Sequence, residues 1–232
     1  MGRKNPERRQ QSGANHPGDN KQEFYTGNRL SAKTRGQKEY IRTICSNFIT
    51  ICTGPPGTGK THIACGLAAQ AMREGLIQKI VLARPVGTVE KEIGYLPGDI
   101  ASKLDPYLRP LFDELAHYFT YSAIKQLIDT KQLEIVPLSA MRGRTFKDSF
   151  IVLDEAQNAT YKELKMFFTR FGQGSKAVAS GDIHQTDLGT SDAGSLSAVI
   201  DKLADVEGIG IAHLSHDDVV RHKLTSVIDG RL

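Results

Sequence analysis

No run of about 18 apolar residues occurs in the 232-residue chain, so no membrane-spanning helix is legible in it. Its first residues, Met1 to Gln11, are polar and basic and lead into no apolar stretch, so no secretory signal is expected. Cysteine is scarce. The three present, Cys45, Cys52 and Cys65, form no C-x-x-C pair and sit in or beside apolar segments, so they read as buried, reduced thiols. Of the seven histidines only His213 and His216 approach metal-ligand spacing, and neither a cysteine nor a third histidine flanks them as a zinc site requires. No internal repeat is visible. These absences lead us to expect a cytoplasmic protein without a membrane partner.

What the chain does contain is an ordinary globular composition, 39% hydrophobic and 24% charged, sufficient for a sizeable buried core. The net charge of +4 is uneven: residues 1–36 hold eight basic and three acidic side chains, the remainder 22 and 23. The basic character therefore belongs to the start of the chain. Residues 1–32 read as a flexible arm that either neutralises nucleic-acid phosphates or stays solvated, and residues 33–232 as one domain.

From Lys33 onward, short β-branched runs alternate with longer amphipathic stretches, the pattern of a mainly parallel sheet flanked by helices in a three-layer α/β fold. Strands are expected near Phe48–Cys52, Ile80–Ala83, Leu133–Val136, Phe150–Leu153, Ala177–Ser180 and Gly210–Leu214. Helices are expected over Gly36–Ser46, Lys60–Glu74, Ala101–Phe119, Ile124–Lys131, Lys162–Phe171, Gly194–Leu203 and Val219–Ile228.

Gly54, Pro55, Pro56, Gly57, Thr58, Gly59, Lys60 and Thr61 match G-x-x-x-x-G-K-[ST], placed directly after an expected strand and opening an expected helix. Glycines there let successive amides turn inward as an anion nest, and the helix start adds partial positive charge. Lys60 is positioned for the β- and γ-phosphates of ATP, and the Thr61 hydroxyl for Mg²⁺. A second apolar strand ends in Asp154 and Glu155, carboxylates suited to orienting the Mg²⁺ shell and to accepting a proton from the attacking water. A third loop, Ser180 to Gln185, offers Gln185 as a sensor of the γ-phosphate; the alternative is an ordinary turn with Asp182 as helix cap. A small-molecule kinase shares the P-loop but leaves the Asp154-Glu155 pair unexplained.

With GPPGTGKT, ARPVGTVEKEIGYLPGDIASKLDPYLRPLFDEL, MRGRTF, FIVLDEAQNAT, KMFFTRFG, SGDIHQTDL and DDVVRHKL in that order, residues 37–228 resemble the PhoH family, P-loop ATPases related to superfamily 1 helicases. The resemblance implies a RecA-like fold, ATP and Mg²⁺ as ligands, and ATP hydrolysis. It further implies that Gln37 reads the adenine edge, and that Arg84, Thr88, Arg142 and Arg144 contact an RNA or single-stranded nucleic-acid backbone. Some relatives carry a nuclease domain, and helicases of this type close two motor domains around ATP; neither is legible here. The leading expectation is a Mg²⁺-dependent ATPase acting on nucleic acid, and the alternative is an ATP-gated assembly or switch protein. Because an arginine on the γ-phosphate is worth about 10³-fold or more in rate and the P-loop supplies none, a hexameric ring is expected, with Arg221 of a neighbouring copy completing each site and Arg170 or Arg109 as alternatives.

Overall fold

A computed structural model describes residues 24–86, 100–189 and 194–220. Among the described residues the frame is six parallel strands: β1 (Ile49–Thr53), β2 (Lys79–Arg84), β3 (Leu133–Pro137), β4 (Ser149–Leu153), β5 (Lys176–Gly181) and β6 (Ile209–His213). They lie side by side in the order β3-β2-β4-β5-β1-β6. Around them stand the helices α1 (Arg35–Ser46), α2 (Lys60–Arg73), α3 (Ile100–Ala116), α4 (Tyr121–Asp129), α5 (Tyr161–Phe168) and α6 (Ser195–Leu203). Each expected strand is present within a residue or two of its expected ends. The helix expected from Val219 does not begin there, because the chain takes a short 3-10 turn at His216–Asp218 and leaves it extended at Val219; residues 221–232 lie outside the described residues.

Alternation along each strand explains why helices cover both faces. Ile80 and Leu82, Phe150 and Val152, and Val178 point into one core with α1 to α4. Their neighbours Val81 and Ala83, Ile151 and Leu153, and Ala177 and Ala179 point into the other, with α5, α6 and the turn Leu138–Met141. A strand buried on both faces needs apolar residues at every position, and such strands pair in parallel when helices form the crossovers. The α1 carboxyl end is closed by Lys176, whose ammonium donates to the carbonyls of Ile44, Cys45 and Asn47, a favourable placement of positive charge against the helix dipole. Among the described residues no helix is long and apolar enough to cross a membrane.

Two expectations need correction. Cys45 is exposed, unlike Cys52 and Cys65, because it lies in the last turn of α1 on the side away from the buried Ile44. Burial pushes the Cys52 thiol up to about 12, so it stays protonated and inert. The arm also ends earlier than expected. Phe24, Tyr25 and Leu30 pack on the helix-covered core; Thr120 and Thr26 amides bond the carbonyls of Phe24 and Tyr118 at 3.2 and 3.1 Å, and the Arg73 guanidinium lies 4.3 Å over the Tyr25 ring. Three apolar residues in an otherwise polar segment show no periodicity, which hid them. Deleting residues 1–32 should therefore cost at least about 2 kcal/mol from lost apolar burial and lower the melting midpoint by roughly 4–8 °C. Deletion of residues 1–22 should leave it unchanged. Equal midpoints for the two truncations in calorimetry would contradict this packing.

Candidate nucleotide site

In the sheet order, β4, β5 and β1 are adjacent, so the loops leaving their carboxyl ends converge. Open α/β sheets bind ligands at that edge. From β1 the chain enters the P-loop. Gly54 has φ +156°, and a Cβ there would lie 2.5 Å from the Leu214 carbonyl oxygen. Gly59 caps α2 at φ 82°, and its Cβ would press at 3.2 Å on the Gln37 amide. The loop thus needs glycine at both positions for conformation and for space.

Lys60 folds inward, its Nζ donating to the carbonyls of Gly54 and Pro55 at 2.6 and 2.9 Å. Burial lowers its pKa, opposed by the Cys52 thiol and the nearby Asp182, Glu155 and Asp154 carboxylates. Thr58 braces the loop by donating its hydroxyl to the Pro55 carbonyl at 2.9 Å. Thr61 opens α2 with its hydroxyl donating to Asp154 Oδ1 at 2.6 Å. A hydroxyl and a carboxylate held together are the hard oxygen donors that suit Mg²⁺. Burial also raises the Asp154 carboxyl pKa, against hydrogen bonds from Thr61 and Ser180, so a cation beside it would offset a real desolvation cost. The residues present fit Mg²⁺.

Glu155 has φ 52°, a conformation unfavourable for a residue with a Cβ, and one costing about 1–3 kcal/mol that recurs at functional sites. The strained turn lets the carboxylate, half-exposed, face the cleft. It is held on both sides: Arg84 lies 3.4 Å from Oε1, and the Gln157 amide donates to Oε2 at 2.5 Å. The other end of Gln157 accepts from the Asp182 amide at 3.0 Å, and a Cβ on Gly181 would strike that same oxygen. Gln157 therefore couples the Glu155 turn to the loop carrying Gln185. Its role is not legible in the sequence, although it stands two residues after Glu155. Asp182, buried, accepts from the His184 amide at 2.9 Å and so folds its loop back on itself. The cleft among these elements measures about 250 Å³ and is lined by Lys60, Thr61, His62, Glu114, Asp154, Glu155 and Gln185, among others.

The family follows from the comparison of the chain with known proteins. Residues 29–230 match the family model described as PhoH-like protein. This chain belongs to the PhoH-like family. The PhoH-like protein of Mycobacterium tuberculosis strain H37Rv is 45% identical over 202 residues, 87% of this chain and 57% of that protein. The PhoH-like protein of Bacillus subtilis is 42% identical, over 87% and 63%, and Protein PhoH of Escherichia coli K12 36%, over 84% and 56%. The chain thus spans somewhat over half the length of these relatives. Among solved structures, the large terminase of a thermophilic bacteriophage superposes with a TM-score of 0.53 at 14% identity, covering 85% of this chain and 50% of the terminase; a complex of that terminase with ADP gives 0.50 at 13%, covering 85% and 49%. At such identities the likeness concerns the fold, that of P-loop ATPases.

Several other expected site residues of this PhoH-like chain make contacts that the sequence does not announce. Gln37 is buried, with its Oε1 accepting from the Lys33 amide at 2.7 Å and its Nε2 donating to the Thr58 carbonyl at 3.0 Å. These two bonds join α1 to the P-loop and leave the amide one further N–H and one further lone pair. Arg144 donates to Glu134 at 2.6 Å, beside Lys79 at 2.7 Å, and covers the Phe146 ring. Lys79 is the first residue of β2 and Glu134 the second of β3, so the bonds of Arg144 lie toward the amino ends of these strands, away from the nucleotide loops. Arg142 is exposed on the turn before it. Arg84 faces Glu155, with a further bond to the Tyr107 carbonyl at 3.3 Å. Thr88 and Arg221 lie outside the described residues.

Asp218 carried no functional expectation, since its partners Thr34 and Gly36 lie 184 and 182 residues away in sequence. It accepts from the Thr34 hydroxyl at 2.5 Å, the Ser215 amide at 2.9 Å and the Gly36 amide at 3.2 Å. Burial pushes its carboxyl up, but these donors outweigh burial and hold it below its ordinary value. Two residues later the Val220 amide donates to the Gly57 carbonyl at 2.9 Å, clasping the P-loop from outside.

The raised Asp154 pKa carries a prediction. A carboxyl whose folded pKa exceeds its unfolded one stabilises the fold most below the unfolded value, and loses that contribution as pH rises through the folded one. Ionised Asp154 therefore costs stability at neutral pH. Asp154→Asn should raise the melting midpoint at pH 7, with the gain vanishing near pH ~3, while lowering ATP turnover by about 10²-fold or more. A lower midpoint at pH 7 would contradict the desolvation argument.

Proposed function

We propose that this chain is a Mg²⁺-dependent ATPase whose cycle acts on RNA or single-stranded nucleic acid. The convergence of Lys60, the Thr61–Asp154 oxygen pair, Glu155 and Gln185 on one cleft supports hydrolysis. Magnesium, when bound between Thr61 and Asp154, supplies charge neutralisation on the phosphates. Lys60 exchanges its two carbonyl partners for phosphate oxygens. The Glu155 carboxylate takes a proton from the attacking water, and Gln185 contacts the terminal phosphate and registers its departure.

Coupling to nucleic acid is supported by Arg84. Its guanidinium restrains Glu155, and a backbone phosphate is a competing acceptor of the same bidentate kind. A bound strand would draw Arg84 off and free the carboxylate. Phosphate release measured with and without RNA and single-stranded DNA tests this; stimulation by about tenfold or more is expected. The double restraint on Glu155 also favours the second reading, an ATP-gated assembly or switch protein with slow turnover. Turnover indifferent to both nucleic acids would leave that reading in place.

An arginine for the γ-phosphate completes the proposal. Among the described residues lining the cleft there is none, and Arg170 is tied to the carbonyls of Met166 and Arg144. A neighbouring copy is the simplest donor, and a repeating head-to-tail contact either closes into a ring or grows as a filament; the reading here is a closed hexamer with Arg221 reaching the next site. Mixing Arg221→Ala with Lys60→Ala subunits should restore activity that neither has alone. A wild type that is active as a monomer in light scattering would overturn the ring.

A further inference from the structure

Beside the nucleotide cleft, whose lining includes His62 and Glu114, three side chains that the ATPase reading leaves unused come together. His62 follows Thr61 in the first turn of α2, Glu114 stands in the last turn of α3, and His117 lies just beyond it. One ligand atom from each lies within 4.8 Å of the other two. His62 Nδ1 is 2.9 Å from Glu114 Oε2, and the His62 and His117 rings meet edge to face with centroids 5.5 Å apart. We propose that His62, Glu114 and His117 bind a divalent transition ion of the zinc class, at a site separate from the Mg²⁺ donors Thr61 and Asp154.

The donor set decides the class of ion. Two imidazole nitrogens and one carboxylate oxygen are poor ligands for Mg²⁺, which prefers all-oxygen surroundings, and are those of three-ligand zinc sites that keep a fourth position open. Tetrahedral zinc at about 2.0–2.2 Å from each ligand separates them by about 3.3–3.6 Å. The present spacing brackets that value, and His117, exposed on the surface, has room to swing in.

A second, independent observation concerns the other nitrogen of His62. Nε2 lies 2.9 Å from the Tyr118 hydroxyl, and a Cβ on Gly66 would strike that hydroxyl, so the tyrosine is fixed where it stands. A metal-bound histidine almost always hands its remaining N–H to such a partner, which sets tautomer and ring orientation. With the ion on Nδ1, the ring proton moves to Nε2 and Tyr118 accepts it. The Glu114–His62 hydrogen bond is replaced by two metal bonds. An ion here would tie the start of α2 to the end of α3 and fix the wall of the nucleotide cleft one residue from Thr61.

Zinc binding to the full chain without nucleotide tests the site, so its outcome is independent of whether the protein hydrolyses ATP. Equilibrium dialysis against Zn²⁺ should give one ion per chain, and Co²⁺ should produce the visible absorption of a four-coordinate site. His117→Ala and Glu114→Gln should each weaken binding by at least about tenfold, and Tyr118→Phe by about 10-fold to 100-fold. Asp154→Asn should retain it, and excess Mg²⁺ should not displace it. Because His117 is exposed, its variant leaves the fold intact. Absence of Zn²⁺ binding by the wild type, survival of the bound ion in both His117→Ala and Glu114→Gln, or its loss in Asp154→Asn would each overturn the proposal.

Discussion

Lys60→Ala is expected to lower ATP turnover by about 10³-fold and to weaken ATP binding, because no other lysine or arginine lines the described part of the cleft. In the structure it already sits inside the loop, bonded to the Gly54 and Pro55 carbonyls. Removing it leaves two inward carbonyls facing phosphate with no intervening positive charge. Burial of that charge is itself unfavourable, as its lowered pKa indicates, which offsets part of the stability lost with its two hydrogen bonds. A phosphate-release assay together with calorimetric titration of ATP checks both parts. Turnover within about twofold of wild type would remove Lys60 from the mechanism.

The second large effect is expected at Glu155. Glu155→Gln preserves shape and can keep a bond to Gln157, but the amide cannot take a proton from water. Hydrolysis should fall by about 10²-fold or more, while ATP affinity stays within about threefold, a difference of well under ~1 kcal/mol. Single-turnover quench with labelled ATP separates the two quantities. Loss of affinity instead would mean that Glu155 holds the Arg84 and Gln157 network together and does not act on water. The left-handed backbone at Glu155 is common to wild type and variant, so it does not confound the comparison.

Much of this site was legible because its signals are local. A strand, a turn and a helix start follow one another between Ile49 and Arg73, and the strand ending in Asp154 announces itself by its apolar run. Strand positions were recoverable because burial on both faces requires nearly continuous apolar residues. What stayed hidden depends on contacts between distant segments. The bonds of Gln37 to Lys33 and Thr58 emerge only once α1 lies against the P-loop. Arg144 looked like a phosphate ligand, while Glu134 claims it beside Lys79, across two strands. His62 and Glu114 are 52 residues apart, beyond any ligand-spacing rule, and Phe24 and Tyr25 gave too short an apolar signal to separate packed chain from arm.

The place of β1 between β5 and β6 also bears on how the site is made. Ile49 pairs with Ala177 on one side and Ile209 on the other, and the P-loop is clasped by Val220. A chain emerging from the ribosome exposes its phosphate loop early but has no neighbouring strand to support it until most of the domain has been synthesised. Closing such long loops is entropically costly and slow. The phosphate loop therefore gains its supporting strands only in the nearly finished domain.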